Sequence, residues 1–131
     1  VISVNYAGLP TSPWYELGKK LAPKGTGAVL AFELAGGIAA GKAFVDALSL
    51  HSHVANIGDV RSLVIHPAST THAQLSPEEQ LATGVTPGLV RLAVGIEGID
   101  DIIADLEQGF AAAKPFSATQ GADPKTAAAF S

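Results

Sequence analysis

Apolar and polar positions alternate along this chain with two different periods, and the switches between them mark out its elements. Ile2 to Tyr6, in the opening VISVNYAG, alternates as a strand does. The segment GLPTSPWYELGKKLAPKG then reads as a turn and a short helix, with Ser12 as N-cap, Pro13 at the first helical position and Glu16 in the first turn. In GAVLAFEL, Ala28, Leu30, Phe32 and Leu34 share one face and Val29, Ala31 and Glu33 the other, which is a strand. Gly36 and Gly37 break it. From Ile38 to Leu48 the spacing becomes helical, with Ile38, Gly41, Val45 and Leu48 on one face beside Ala40, Phe44 and Ala47.

SLHSHVANIGD continues as a short extended piece, and SLVIHP is a further strand stopped by Pro67. Residues 68–87 are polar and turn-rich, with a short helix starting at Ser76-Pro77-Glu78-Glu79, and a loop of this length is commonly functional. Leu89 to Ile96 forms a strand in which Val90, Leu92, Val94 and Ile96 make one face and Arg91, Ala93 and Gly95 the other. A last helix begins near Gly98, sets Asp100 and Asp101 against its positive end, and repeats Ile99, Ile102, Ile103, Leu106 and Phe110 at helical spacing. Periodicity lapses past Ala113, so the pattern divides the chain into a domain over 1–113 and a tail over 114–131. Helices interleaved with four or five strands predict an α/β (α+β) two-layer sandwich with helices covering one sheet face.

A chain of 131 residues fits one domain with a real core, and 47% hydrophobic against 15% charged residues excludes a disordered polymer. No apolar run reaches the roughly 18 residues that a membrane helix requires, so no membrane association is expected. The formal charge of -4 comes from scattered acids, and Lys and Arg form no stripe along which nucleic acid would lie. Without cysteine there is neither a disulfide nor a thiolate metal site, which together with the missing leader fits a cytoplasmic protein. Val1 opens directly into strand-like alternation with no initiator Met. A trimmed or proteolysed fragment is the favoured reading, with ordinary N-terminal processing as the alternative.

Arg91 draws attention because it faces away from the apolar side of its strand and is flanked by small residues that leave room for an approaching group. Its planar fork of donors suits bidentate pairing with a carboxylate; a solvated surface Arg is the equally weighted alternative. HPASTTH places His66 and His72 with three hydroxyls around a proline-ended strand, a plausible wall for a polar ligand. His51 and His53 share a strand face but lack further ligands, so structural histidines are favoured over zinc. Gly36, Gly41 and Lys42 match the spacing of a phosphate-binding loop, yet Ala43 stands where Ser or Thr would hold magnesium, so helix packing through small residues is favoured. No Ser lies in a G-x-S-x-G elbow, and the acid pairs Glu78-Glu79 and Asp100-Asp101 read as helix-start charges. Catalytic residues are therefore not evident within the chain, and a free-standing small-molecule-binding or oligomerisation module is one reading of it.

AGLPTSPWYELGKKLAPKGTGAVLAFELAGG, ANIGDVRSLVIHPASTTH and GVTPGLVRLAVGIEGIDDIIADLEQGF, taken in order, resemble the C-terminal domain of the pyridoxal-phosphate-dependent Cys/Met metabolism enzymes, nearest the O-acetylhomoserine sulfhydrylase branch. The resemblance spans Val1 to about Ala113. It implies the small C-terminal domain of a fold type I enzyme, a mostly antiparallel sheet with helices on one face, whose large N-terminal domain holds the Schiff-base lysine and the pyridoxal 5'-phosphate. The cofactor would then not be bound covalently here, and the chain alone would be inactive. Arg91 matches the position that clamps the substrate α-carboxylate. Asn56 stands where the family commonly has Ser, and Thr71 matches a position close to the substrate; Ala93 replaces a usual Ser. By the same resemblance the whole enzyme, a homotetramer, replaces the acetate of O-acetyl-L-homoserine with sulfide to give homocysteine, the cofactor acting as electron sink. Cystathionine γ-synthase, cystathionine γ-lyase and O-succinylhomoserine sulfhydrylase are the neighbouring alternatives.

Overall fold

The computed structural model describes residues 1–117. The tail expected over 114–131 lies outside these residues from position 118 onward. Strands β1 (Ser3–Asn5), β2 (Val29–Glu33), β3 (Leu63–Ile65) and β4 (Leu89–Ala93) form a sheet of order β1-β2-β4-β3, with every pair antiparallel. Between them run α1 (Tyr15–Leu21), α2 (Gly37–Asp46), a 3-10 turn at Pro67–Ser69, α3 (Pro77–Ala82) and α4 (Ile99–Ser117).

The period-two reading of β2 holds through its middle. Phe32 enters the core with Val90 directly across on β4, and Leu30 sits opposite Leu92. α2 and α4 cover this side, closing a core of Phe32, Leu34, Ala40, Phe44, Val45, Leu48, Val64, Val90, Leu92 and Ala113. Phe44 has no exposed surface and meets the Phe32 ring edge-on at 5.3 Å and the Phe110 ring at 4.9 Å. Burying such a side chain stabilises by about 1.5 to 3 kcal/mol. The helices approach this closely because Gly109 faces Phe44: a Cβ there would lie 2.7 Å from the ring.

Several elements depart from the sequence pattern. The first helix begins at Tyr15 rather than Pro13, because Ser12 Oγ accepts the Trp14 N–H at 3.2 Å and spends its capping capacity on a preceding turn. β4 ends at Ala93, and Ile96, expected on the apolar face, is 83% exposed. In α4 the buried stripe is Ile102, Asp105, Gly109 and Ala113, while Ile99 and Ile103 face outward. Apolar spacing alone placed the seam one side too far, since it skipped an acid and a glycine. α4 also runs to Ser117, past the point where periodicity lapses. The start at Ser76 is a full capping box: Ser76 Oγ accepts the Glu79 N–H, and Glu79 Oε2 accepts the Ser76 N–H. Gly36 opens α2 with φ 99, and a Cβ on Gly41 would sit 2.5 Å from the His66 ring. The glycines that resemble a phosphate loop thus serve a helix start and a close packing contact.

Candidate functional site

Partners across antiparallel strands point to the same side of a sheet. Because Phe32 and Val90 face the helices, the next row along, Asn5, Ala31, Arg91 and Ile65, faces the other way. Arg91 therefore rises from the helix-free side of β4 between Ala31 and Ile65. It is half-buried beside a shallow cavity of about 220 Å³ lined by Asn5, Tyr6, Val29 and Ala31. Among the described residues no carboxylate pairs with it, and its side chain makes one long hydrogen bond there, Nη2 donating to the Asn56 carbonyl at 3.4 Å. The side chain of Asn56 turns back locally, its Oδ1 accepting the Ile57 N–H at 2.8 Å.

Thr71 lies elsewhere. It lines a cleft of about 160 Å³ with Lys42, Asp46, His53, His66 and Thr70, and its Oγ1 is 2.8 Å from His72 Nδ1. This cleft reaches Ala55, the residue before Asn56. The structure thus brings Arg91 and Asn56 into contact and leaves Thr71 on a separate wall.

His66, in the HPASTTH block, is 1% exposed and fully used. Its Nε2 lies 2.6 Å from the Pro87 carbonyl, which only accepts, so Nε2 carries the proton and Nδ1 accepts from Ser69 Oγ at 2.7 Å. Burial, aided by Lys42, pulls its pKa below the ordinary histidine value despite the Pro87 bond, which keeps the ring neutral. His51 and His53 do not share a strand face. Their segment touches β3 only through Ser52, with His51 buried and His53 at the cleft. Among the described residues no group of three His, Cys, Asp or Glu side chains is gathered to hold a metal.

Three acids that sequence reasoning passed over shape this region. Asp105 takes His51 Nδ1 at 2.7 Å, the Ser49 N–H at 2.7 Å and the His51 N–H at 3.0 Å. Desolvation would raise its pKa, but these donors hold it well below the usual carboxylate range. Glu97, the last residue of VGIE, accepts from the Ser62 N–H at 2.6 Å and Ser62 Oγ at 2.7 Å, which lowers its pKa. Gly95 lets the chain pass at that point, because a Cβ there would lie 2.3 Å from the Val60 carbonyl oxygen. Glu33, 4% exposed, is raised by burial even though the Thr86 hydroxyl and the Gly88 N–H both donate to it. A signal existed for Asp105, an acid in helical register with Ile102 and Gly109. For Glu33 and Glu97 the partners are too distant in sequence to suggest themselves.

Known proteins resemble this chain over most of its length. Residues 1–111 match the family model described as Cys/Met metabolism PLP-dependent enzyme. The O-acetyl-L-homoserine sulfhydrylase of Corynebacterium glutamicum is 62% identical over 86% of this chain and 26% of its own length. That of Leptospira meyeri is 56% identical over 80% of the chain and 24% of its own. Among solved structures, cystathionine gamma synthase from Xanthomonas oryzae in complex with cystathionine superposes with a TM-score of 0.72 at 43% identity, covering 87% of this chain and 29% of that one. The chain therefore spans about a quarter of the length of the curated relatives it matches. With the match running from Val1 to position 111, this chain belongs to the Cys/Met metabolism PLP-dependent enzymes.

Proposed function

We propose that this chain is the substrate-binding C-terminal domain of an enzyme that replaces the acetate of O-acetyl-L-homoserine with sulfide to give homocysteine, and that Arg91 anchors the substrate α-carboxylate. The observation that carries the reading is the unpaired state of Arg91 among the described residues. A half-buried guanidinium on the helix-free face, with one weak bond to the Asn56 carbonyl, has its forked donors available. A carboxylate arriving there forms two charge-assisted bonds, and in this reading the Asn56 side-chain amide donates a third. Holding the carboxylate fixes the direction of the amino group and the side-chain leaving group, which is catalysis by positioning. Thr71 contributes, in this reading, a hydroxyl from the neighbouring wall. The names of the relatives support the sulfhydrylase branch; the sulfide nucleophile, a homotetramer and a cytoplasmic setting are part of the proposal and rest on the family resemblance. Among the described residues no helix is long and apolar enough to cross a membrane.

The described residues do not fit a pyridoxal phosphate site. The glycine-flanked N-terminus of α2, where a phosphate would be drawn, is closed by the Phe116 carbonyl oxygen, 2.6 Å from where a Cβ on Gly36 would sit. Lys42 opens onto a cleft of about 160 Å³, against the roughly 300 Å³ or more that a cofactor pocket offers. We assign the cofactor to other parts of the whole enzyme.

In the full-length enzyme, Arg91→Lys should lower kcat/KM by about 100-fold, since a bidentate charge-assisted pair is worth about 1.5 to 3 kcal/mol. Unchanged kinetics would remove Arg91 from the site. The cystathionine gamma synthase likeness supports a second reading, cysteine in place of sulfide as nucleophile; comparing the two nucleophiles with the same acetylated substrate separates them.

A further inference from the structure

We propose that Asp105 is a positioning residue for the carboxylate site: from inside α4 it fixes the course of the segment that carries Asn56 to Arg91. This inference rests on the reading of Arg91 as carboxylate anchor. Asp105 is 4% exposed, so its charge has been taken out of water at a cost that its bonds must offset. Its Oδ1 accepts the Ser49 N–H at 2.7 Å and Ser49 Oγ at 3.2 Å; its Oδ2 accepts the His51 N–H at 3.0 Å and His51 Nδ1 at 2.7 Å. Each oxygen thus faces a backbone N–H. Only an ionised carboxylate serves both, because a side-chain amide would turn an NH₂ toward one of them.

Nothing in α4 itself calls for an acid at this place. Its neighbours on the buried stripe are Ile102, Gly109 and Ala113, and an apolar residue would suit the same helix–helix seam. What the carboxylate does is hold the outgoing chain. Its target His51 depends on it fully, since His51 Nε2 is buried without a hydrogen-bond partner, leaving Asp105 to orient the ring. Immediately after, Ser52 is tied to the sheet through the Ser62 carbonyl and the Val64 N–H, each at 2.9 Å. At the far end Val60 accepts the Ile96 N–H at 2.9 Å, and Glu97 grips Ser62. Between Ser52 and Val60 the hydrogen bonds among the described residues are local turns, apart from the one joining the Asn56 carbonyl to Arg91. The place of Asn56 is consequently set by how the two ends are held, and Asp105 holds the first together with the bonds of Ser52 to the sheet.

The test uses the full-length enzyme and compares O-acetyl-L-homoserine with its α-carboxamide. Arg91→Lys comes first: if it leaves the preference for the carboxylate unchanged, the reading of Arg91 itself fails. With that reading secure, Asp105→Asn should raise KM for the amino acid by about 10-fold, hold kcat within about 2-fold and shrink the carboxylate preference in step with KM. A fall in activity of equal size on both substrates, or an unchanged KM in folded enzyme, overturns the positioning role. Should Asp105→Asn not fold, His51→Ala leaves the carboxylate its backbone donors, and about a 3-fold loss of preference is expected from it; an unchanged preference there likewise overturns the proposal.

Discussion

Ala31 stands directly across from Arg91 in the β2–β4 pair, so a single methyl group is what β2 sets beside the guanidinium stem. Cβ atoms of such partners lie about 4.5 to 5.5 Å apart, close enough for a longer side chain to lean over its neighbour. Ala31→Leu should therefore crowd the cavity in front of Arg91 and raise KM for the amino-acid substrate in the full-length enzyme by about 10-fold, with kcat little changed. Steady-state kinetics with equal KM in variant and parent would show that no ligand approaches from the Ala31 side.

Gly41 offers a test of packing. A Cβ there meets the His66 ring at 2.5 Å, and that ring is pinned between Ser69 and Pro87. Gly41→Ala should destabilise the protein by about 1 to 3 kcal/mol, as overpacking does. Denaturant unfolding checks it; a loss of phosphate affinity without loss of stability would revive the phosphate-loop reading instead.

His66 gives the fold a dependence on acid. Its folded pKa lies below the unfolded value because burial disfavours the charged ring. The unfolded chain thus takes up a proton first. Stability should be full above the ordinary histidine range, near pH 6.5, and fall as pH drops through the folded pKa. Thermal melts of His66→Gln across this range should show a flatter profile than the parent, together with a lower melting temperature at neutral pH from the lost Pro87 and Ser69 bonds.

Glu33 has the opposite sign. Its folded pKa is raised by burial, so the native state holds this proton more tightly than the unfolded chain, and stability is lost as pH rises from the usual carboxylate range through the folded pKa. Glu33→Gln keeps an acceptor for the Gly88 N–H and offers an amide donor to the Thr86 hydroxyl. Its melting temperature at neutral pH should match or exceed the parent's. A marked drop would mean that the ionised carboxylate is itself the stabilising form.

Where side chains repeat along one element, the fold was readable. The alternation Leu30, Ala31, Phe32 and the run Val90, Arg91, Leu92 gave the strands, their core face and the outward direction of Arg91 from periodicity alone. The capping box at Ser76 was equally local. Legibility failed where a position's meaning depends on a remote partner. Asp105 sits in a buried stripe because Ser49 and His51 come to it, and Ile96 leaves the apolar face because Glu97 and Gly95 bend the chain toward Ser62. Of the candidate site, the outward direction of Arg91 followed from periodicity, whereas Asn56 and Thr71 came only from the family resemblance; the contact of Arg91 with the Asn56 carbonyl and the placement of Thr71 on a different wall depend on loops whose course no local pattern sets.

The row Asn5, Ala31, Arg91, Ile65 crosses all four strands, and its members come from the beginning, the middle and the end of the described chain. Such a row has no local precursor. Each pairing closes a long loop before it returns any stabilisation, which makes contacts of this kind slow to form. The surroundings of Arg91 thus come into being only when the sheet has closed, so a partly folded chain presents the guanidinium without its pocket, and the carboxylate affinity proposed for it would double as a report that folding is complete.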